Sequence, residues 1–186
     1  MPLIYLSLFH PLTTMQDLTQ RSVFREDHVQ FRDAVRHFFD KEIVPFHAQW
    51  ERDGIVPKEV WRKAGREGLL NTMLPEPYGS GGDFGHAAVL IEEIARTGAS
   101  GLGFPLHSDI VAPYIHAYGS TAQKDRWLPK MAAGEMIGAI AMTEPGAGSD
   151  LKSVRTTAKR DGDHYVINGA KTFITNGINA EIVVVV

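Results

Sequence analysis

The sequence predicts an α+β, multi-domain chain: an N-terminal all-α helical bundle ending near residue 134, followed by the start of a truncated β-barrel-like domain. Three observations carry this expectation. From Phe24 to Ala132 apolar residues recur at three- and four-residue steps, the repeat of helices that each bury one stripe. From Glu135 onward the pattern changes to short apolar runs. Between those runs lie Gly162-Asp163, Asn168-Gly169 and Asn176-Gly177, turn dipeptides that accept positive φ.

The first helix spans Phe24 to about Trp50, with Phe31, Val35, Phe38, Phe39 and Ile43 on its inner stripe. Pro45 lacks the backbone donor and is expected to break it. A second helix begins at Pro57, a residue suited to the first helical position, and buries Val60, Trp61, Ala64 and Leu69. Pro75 to Asp83 holds too much Pro, Gly and Ser for a regular element and reads as an ordered loop. The next helix, Gly85 to Arg96, is expected to turn Ala88, Ile91, Ile94 and Ala95 inward and to leave Glu92 and Glu93 solvated. Ala99 to Tyr118 is apolar all round, the mark of a helix buried on every side. Ser120 or Thr121 caps a short helix running to about Ala132, and Gly134 ends it.

The strands are expected over Met136–Met142, Val154–Lys159, Tyr165–Ile167, Lys171–Thr175 and Ile182–Val186. Four or five strands hardly close a barrel, and a final run of four valines has the look of a strand interior. The expectation is therefore a helical domain at 22–134, a partial β domain at 135–186, and a longer parent protein.

Residues 1–21 read as a disordered arm or as a start read in error, with Met15 the alternative start. Leu3, Ile4, Leu6, Leu8 and Phe9 are apolar, but no Lys or Arg appears before Arg21, so neither a secretory nor a mitochondrial leader is expected. Pro2, Pro11 and the brevity of the run argue against a membrane span. The expected location is cytoplasmic. A composition of 44% hydrophobic and 22% charged residues is that of an ordinary globular protein. A net charge of -3 offers no cationic surface for nucleic acid, and the absence of cysteine removes disulfides, thiolate metal sites and thiol nucleophiles. His37, His47, His86, His107 and His116 lack ligand spacing, so no metal site is expected.

The stretch Ile140 to Asp150 is a strand running into a Gly-rich loop. Such a loop brings backbone N–H groups against an anion, because glycine leaves no side chain in the way. Its spacing matches neither a dinucleotide fingerprint nor a triphosphate loop, so phosphate contact and a structural turn stand level on spacing alone.

The run Ala141-Met142-Thr143-Glu144-Pro145-Gly146-Ala147-Gly148-Ser149-Asp150 resembles the first signature of the acyl-CoA dehydrogenase family. Asn168-Gly169-Ala170-Lys171-Thr172-Phe173-Ile174-Thr175-Asn176-Gly177 resembles the family's second flavin segment, and Pro75 to Gly82 its interdomain loop. The likeness covers roughly residues 22 to 186, and the Ile140-Ala141-Met142 and Phe173-Ile174-Thr175 variants look most like long-chain-type members.

The resemblance implies FAD as cofactor. It places Ile140, Ala141, Met142 and Thr143 beside the flavin ring, with Thr143 donating to its pyrimidine edge, where negative charge develops on reduction. Gly148 and Ser149 lie at the pyrophosphate, and Ser149 also at the CoA portion of the substrate. Phe173, Ile174 and Thr175 lie against the dimethylbenzene and N5 side; many members carry Trp at the position of Phe173. Phe104, Pro105 and Ser108 belong to the helix that borders the acyl tail. Asp150 is expected to cap the loop.

The implied reaction removes the α-proton of an acyl-CoA thioester and passes the β-hydrogen to flavin as hydride, with electron-transferring flavoprotein as acceptor and a homotetramer as assembly. In the family the base is a Glu of a C-terminal helical domain beyond these residues, so no catalytic residue is assigned and this portion alone is expected to be inactive. An acyl-CoA oxidase or nitroalkane oxidase relative keeps the same fold with a different acceptor. A form that only binds acyl-CoA or partner subunits is the non-enzymatic rival.

Overall fold

The structure, a computed structural model, describes residues 21–186. The arm expected over residues 1–21 lies outside that range except for Arg21, which pairs with Glu92 at 3.2 Å. Six α-helices come first: α1 Glu26–Glu42, α2 Val44–Asp53, α3 Lys58–Arg66, α4 Phe84–Thr97, α5 Ala112–Tyr118 and α6 Thr121–Ala132, with a π-helical turn, Leu106–Val111, leading into α5. Four strands come after them: β1 Gly138–Ala141, β2 Thr157–Asp161, β3 His164–Asn168 and β4 Ile182–Val185.

The apolar stripe of α1 does what its spacing requires: Val35, Phe38, Phe39 and Ile43 are buried against Trp61, Leu69, Leu90 and Phe104. A second cluster, Leu74, Val111, Ala112, Ile115, Leu128 and Met131, lies under the first sheet and is met by Ile140, Ile182 and Val184. β1 and β4 pair in parallel, Gly138 opposite Ile182 and Ala141 opposite Val185. A parallel pair needs a long crossover. Here the crossover carries the Gly-rich loop, the β2–β3 hairpin and the segment 169–181. The hairpin turns at Gly162-Asp163, with Gly162 at φ 58, and is exposed along both faces.

Several expectations need correction. The helix break falls at Ile43, and Pro45 sits in the first turn of α2, where a missing N–H costs no hydrogen bond. Pro57 caps α3 rather than opening it. On α4 the buried residues are Ala87, Val89, Leu90 and Glu93; of the expected stripe Ile94 packs partly buried against the core and Ala88 is half-buried, while Ile91 and Ala95 are exposed. Glu93, expected in solvent, takes an interior place. It is 1% exposed and accepts from Arg32 at 3.2 Å, from Arg36 at 2.8 and 3.1 Å, and from Arg96 at 2.6 Å. Burial pushes its carboxyl up, and the three arginines together pull it below the usual range.

Ala99 to Tyr118 is not one buried helix. Helical structure begins at Phe104, and the π turn adds a residue that re-aims the side chains of α5. His107, Ser108, Val111, Ala112 and Ile115 are buried, while Ile110, Tyr114 and Tyr118 face outward, Tyr118 being 83% exposed. No strand forms over Lys171–Thr175, because Phe173 takes φ 55, outside the β region. The other strands are observed within or beside their expected spans.

His107 joins the two parts of the chain. Its ring is fully buried; Nδ1 accepts from Gly138 N at 2.9 Å, so in the neutral ring Nε2 carries the proton and donates to Met131 O at 3.2 Å. Burial holds it down at about 4, against the pull of the Met131 hydrogen bond. A histidine lowered on folding contributes stability that is complete above its unfolded value near 6.5 and is lost as pH falls toward 4. Urea unfolding at successive pH values is expected to show a fall accumulating over that window, on the order of 3 kcal/mol, and His107→Leu should flatten it while lowering stability at pH 7. The same assay separates the two glutamates: Glu93→Gln is expected to cost about 3 kcal/mol, because it strips charge from a buried network, and Glu92→Gln under about 1 kcal/mol.

Candidate functional site

The residues singled out by motif lie on the crossover, and the structure brings the two main groups together. β1 ends at Ala141, and the chain continues through Met142 and Thr143 into a tight turn, Glu144 N donating to Ala147 O at 2.9 Å and Ala147 N to Glu144 O at 3.1 Å. Thr172 N donates to Thr143 O at 2.9 Å, so the Phe173–Thr175 segment begins beside the Thr143–Ser149 bend.

Glu144 organises the join. Its buried carboxylate accepts from Arg155 N at 2.8 Å, Thr156 N at 2.9 Å, the Thr156 hydroxyl, and Lys171 Nζ at 2.9 Å. The same ammonium donates to Met142 O at 3.0 Å. The Thr156 hydroxyl, then Lys171 and the Arg155 amide, hold the carboxyl down at about 2, so it is ionised throughout the physiological range. One charged group thus ties together the end of β1, the start of the hairpin and the segment opening at Lys171.

The surface so formed is open. Gly148, Ser149 and Thr175 are exposed, Thr143, Met142, Ile140 and Ile174 are half-buried, and Ala141 is buried. Phe173 is 91% exposed in the left-handed region, an arrangement no apolar core would select. These two segments together carry the hydroxyls of Thr143, Ser149 and Thr175 and the bare ring of Phe173, groups that suit a flat ligand with hydrogen-bonding edges. Asp150 has the capping role expected of it, accepting from Lys152 N at 3.2 Å and from the Ser153 hydroxyl at 2.6 Å.

The third group lies elsewhere. Phe104 is fully buried, edge-on to Trp61 with ring centroids 4.7 Å apart, and the Ser108 hydroxyl accepts from Asn71 N at 3.0 Å. Pro105 is half-buried. The residue just before that helix meets the crossover: the Asn176 side-chain amide donates to Gly103 O, and also to Gly138 O of β1, each at 3.1 Å.

Sequence reading missed Glu144, Thr156, Lys171 and Asn176 as positioning groups. Glu144 carried the one available signal, a carboxylate directly after an apolar strand and unable to stay there without partners. It also missed that α1 and α4 bring His28 and His86 within 4.8 Å of Asp27. His28 has no lone pair to spare in the neutral ring, since Nδ1 accepts from Arg25 N at 3.1 Å and Nε2–H faces Asp83 Oδ1 at 2.8 Å. No described helix is long and apolar enough to cross a membrane.

Residues 25–135 match the model of the acyl-CoA dehydrogenase N-terminal domain, and residues 139–186 that of the acyl-CoA dehydrogenase middle domain. The mitochondrial long-chain specific acyl-CoA dehydrogenase of Sus scrofa is 51% identical over 173 residues, which are 92% of this chain and 40% of that one. A crystal structure of an acyl-CoA dehydrogenase from Geobacillus kaustophilus superposes with a TM-score of 0.85 at 51% identity, covering 88% of this chain and 43% of that one. A glutaryl-CoA dehydrogenase from Mycobacterium smegmatis in complex with FADH2 superposes with a TM-score of 0.80 at 31% identity, covering 90% and 44%. The chain therefore spans less than half the length of these relatives. With both domain models matched in order and the two motif segments joined at Thr143 and Thr172, the chain belongs to the acyl-CoA dehydrogenase family.

Proposed function

We propose that these residues supply one wall of the FAD site of an acyl-CoA dehydrogenase that converts a medium- to long-chain acyl-CoA thioester to the trans-2-enoyl-CoA in fatty acid β-oxidation. The observation that carries the reading is the meeting of the Thr143–Ser149 bend with the Phe173–Thr175 segment through the Thr172–Thr143 hydrogen bond. The residues present fit the cofactor: an exposed aromatic face for a planar ring system, threonine hydroxyls for its polar edge, and a Gly-rich loop for its phosphates.

FAD, when bound, supplies the acceptor for the substrate's β-hydride. Thr143 donates from its hydroxyl to the pyrimidine edge and stabilises charge there. Ile140, Ala141 and Met142 line the same edge with backbone and apolar side chain. Phe173 and Ile174 cover the dimethylbenzene side and exclude water, and Thr175 donates near N5. Gly148 gives the pyrophosphate access to backbone N–H groups, and the Ser149 hydroxyl donates to the pyrophosphate or to the CoA portion of the substrate. Phe104, Pro105 and Ser108 act on the acyl tail through the helix that carries them. Acyl-CoA as substrate, electron-transferring flavoprotein as acceptor and a homotetramer as the working assembly complete the proposal, with the catalytic base outside these residues.

Titration of the chain with FAD, monitored by flavin fluorescence, is expected to show weak saturable binding. Phe173→Ala should weaken it about 3- to 10-fold, the loss of one stacked aromatic contact. A dye-reduction assay with octanoyl- and palmitoyl-CoA should show no turnover by this chain alone. Failure to bind FAD would remove the reading, and robust turnover would move the base into these residues.

A further inference from the structure

Residues 171–175 form no strand, yet both ends of the segment are fixed. The N-terminal end is fixed by Lys171, whose side chain is 11% exposed and whose ammonium donates to Met142 O and to Glu144, and by the Thr172–Thr143 backbone bond. The C-terminal end is fixed by Asn176, at φ 65, whose amide donates to the carbonyls of Gly103 and Gly138. Gly103 admits this approach only because it lacks a side chain: a Cβ there would overlap the Asn176 carboxamide. Between the two fixed ends stands Phe173, in a backbone conformation that a non-glycine residue adopts only under constraint.

We propose that Lys171 and Asn176 are positioning residues forming a two-point clamp that holds Phe173–Thr175 as a preformed ligand-binding wall. The inference rests on the flavin-wall reading for its ligand but not for its mechanics. The clamp is polar at both ends and takes its counter-groups from three places: the exit of β1, the approach to the π turn, and β1 itself. A wall held this way is ordered before the ligand arrives, so binding does not have to order it.

The test uses the full 186-residue chain in three variants. Lys171→Met removes the ammonium and keeps the apolar stem. Lys171→Arg restores donors able to reach both acceptors. Asn176→Asp keeps shape and tolerance of positive φ but removes the donor. Amide hydrogen exchange without FAD should rise about tenfold or more at Thr172 in the Met variant and at Gly177 in the Asp variant, the amides held by Thr143 O and Ile174 O at the two ends of the segment. The amides of α1 and α4 should be unchanged, and FAD affinity should fall about tenfold in both variants. Lys171→Arg should keep most of the protection and affinity that Lys171→Met loses. Unchanged exchange at these two amides overturns the clamp, as does a rise spread evenly over the chain with a lowered urea midpoint, which would mark the two residues as general stabilisers. Failure of the wild-type chain to bind FAD would discard the ligand while leaving the exchange result to decide the clamp.

Discussion

A carboxylate buried at the mouth of a Gly-rich loop is the constraint around which the functional half of this chain is arranged. Ionised and largely removed from water, Glu144 requires donors on both oxygens, and only a particular path of the backbone delivers them. Arg155 and Thr156 present amides because the chain turns back through Leu151–Ser153, and Lys171 arrives because the β2–β3 hairpin returns it. Glycines at 146 and 148 take no left-handed φ, and a Cβ at either would meet nothing within 4 Å. The loop has its shape, then, from the charge at its base rather than from its glycines.

A comparable arrangement joins the β region to the helices. Two strands in parallel bury one face on Val111, Leu128 and Met131, but the positions of their ends are set by polar groups. His107 takes the Gly138 amide, Glu181 takes the Ile137 amide at 2.7 Å and pairs with Lys58, Asn179 donates to Val56 O at 2.7 Å, and Asn176 spans Gly103 and Gly138. Apolar contact is non-directional and would tolerate sliding of the sheet over the cluster. Hydrogen bonds of fixed length do not, and they set the register between the motif segments and the helical part.

The helices were legible because a buried apolar stripe leaves a repeat in the sequence, and α1 and α3 adhere to it closely. Where a charge took an interior position the repeat misled. Glu93 looked solvated on α4, since its partners Arg32 and Arg36 lie 61 and 57 residues away and no local pattern announces them. The same limit hid Lys171, 27 residues from Glu144. Around Ala99–Tyr118 composition gave apolarity without direction, and a π turn decided which side chains faced out. The two motif segments themselves were legible by resemblance, and their meeting at Thr143 and Thr172 is a fact of the crossover topology. What sequence could not supply was how they are held.

That holding explains why so little regular sheet is needed. A two-stranded hairpin exposed on both faces is marginal by itself, and a two-stranded parallel pair scarcely less so. Yet the segment between them presents an aromatic ring to solvent in a disfavoured backbone conformation. Strain of that kind persists only where the surroundings over-determine it, and here they are the polar contacts of Glu144, Lys171 and Asn176. The apolar clusters keep the helices folded; the buried polar groups decide where the exposed face stands. The two duties fall on different residues, so the packing of the core can vary while the geometry of the wall is kept.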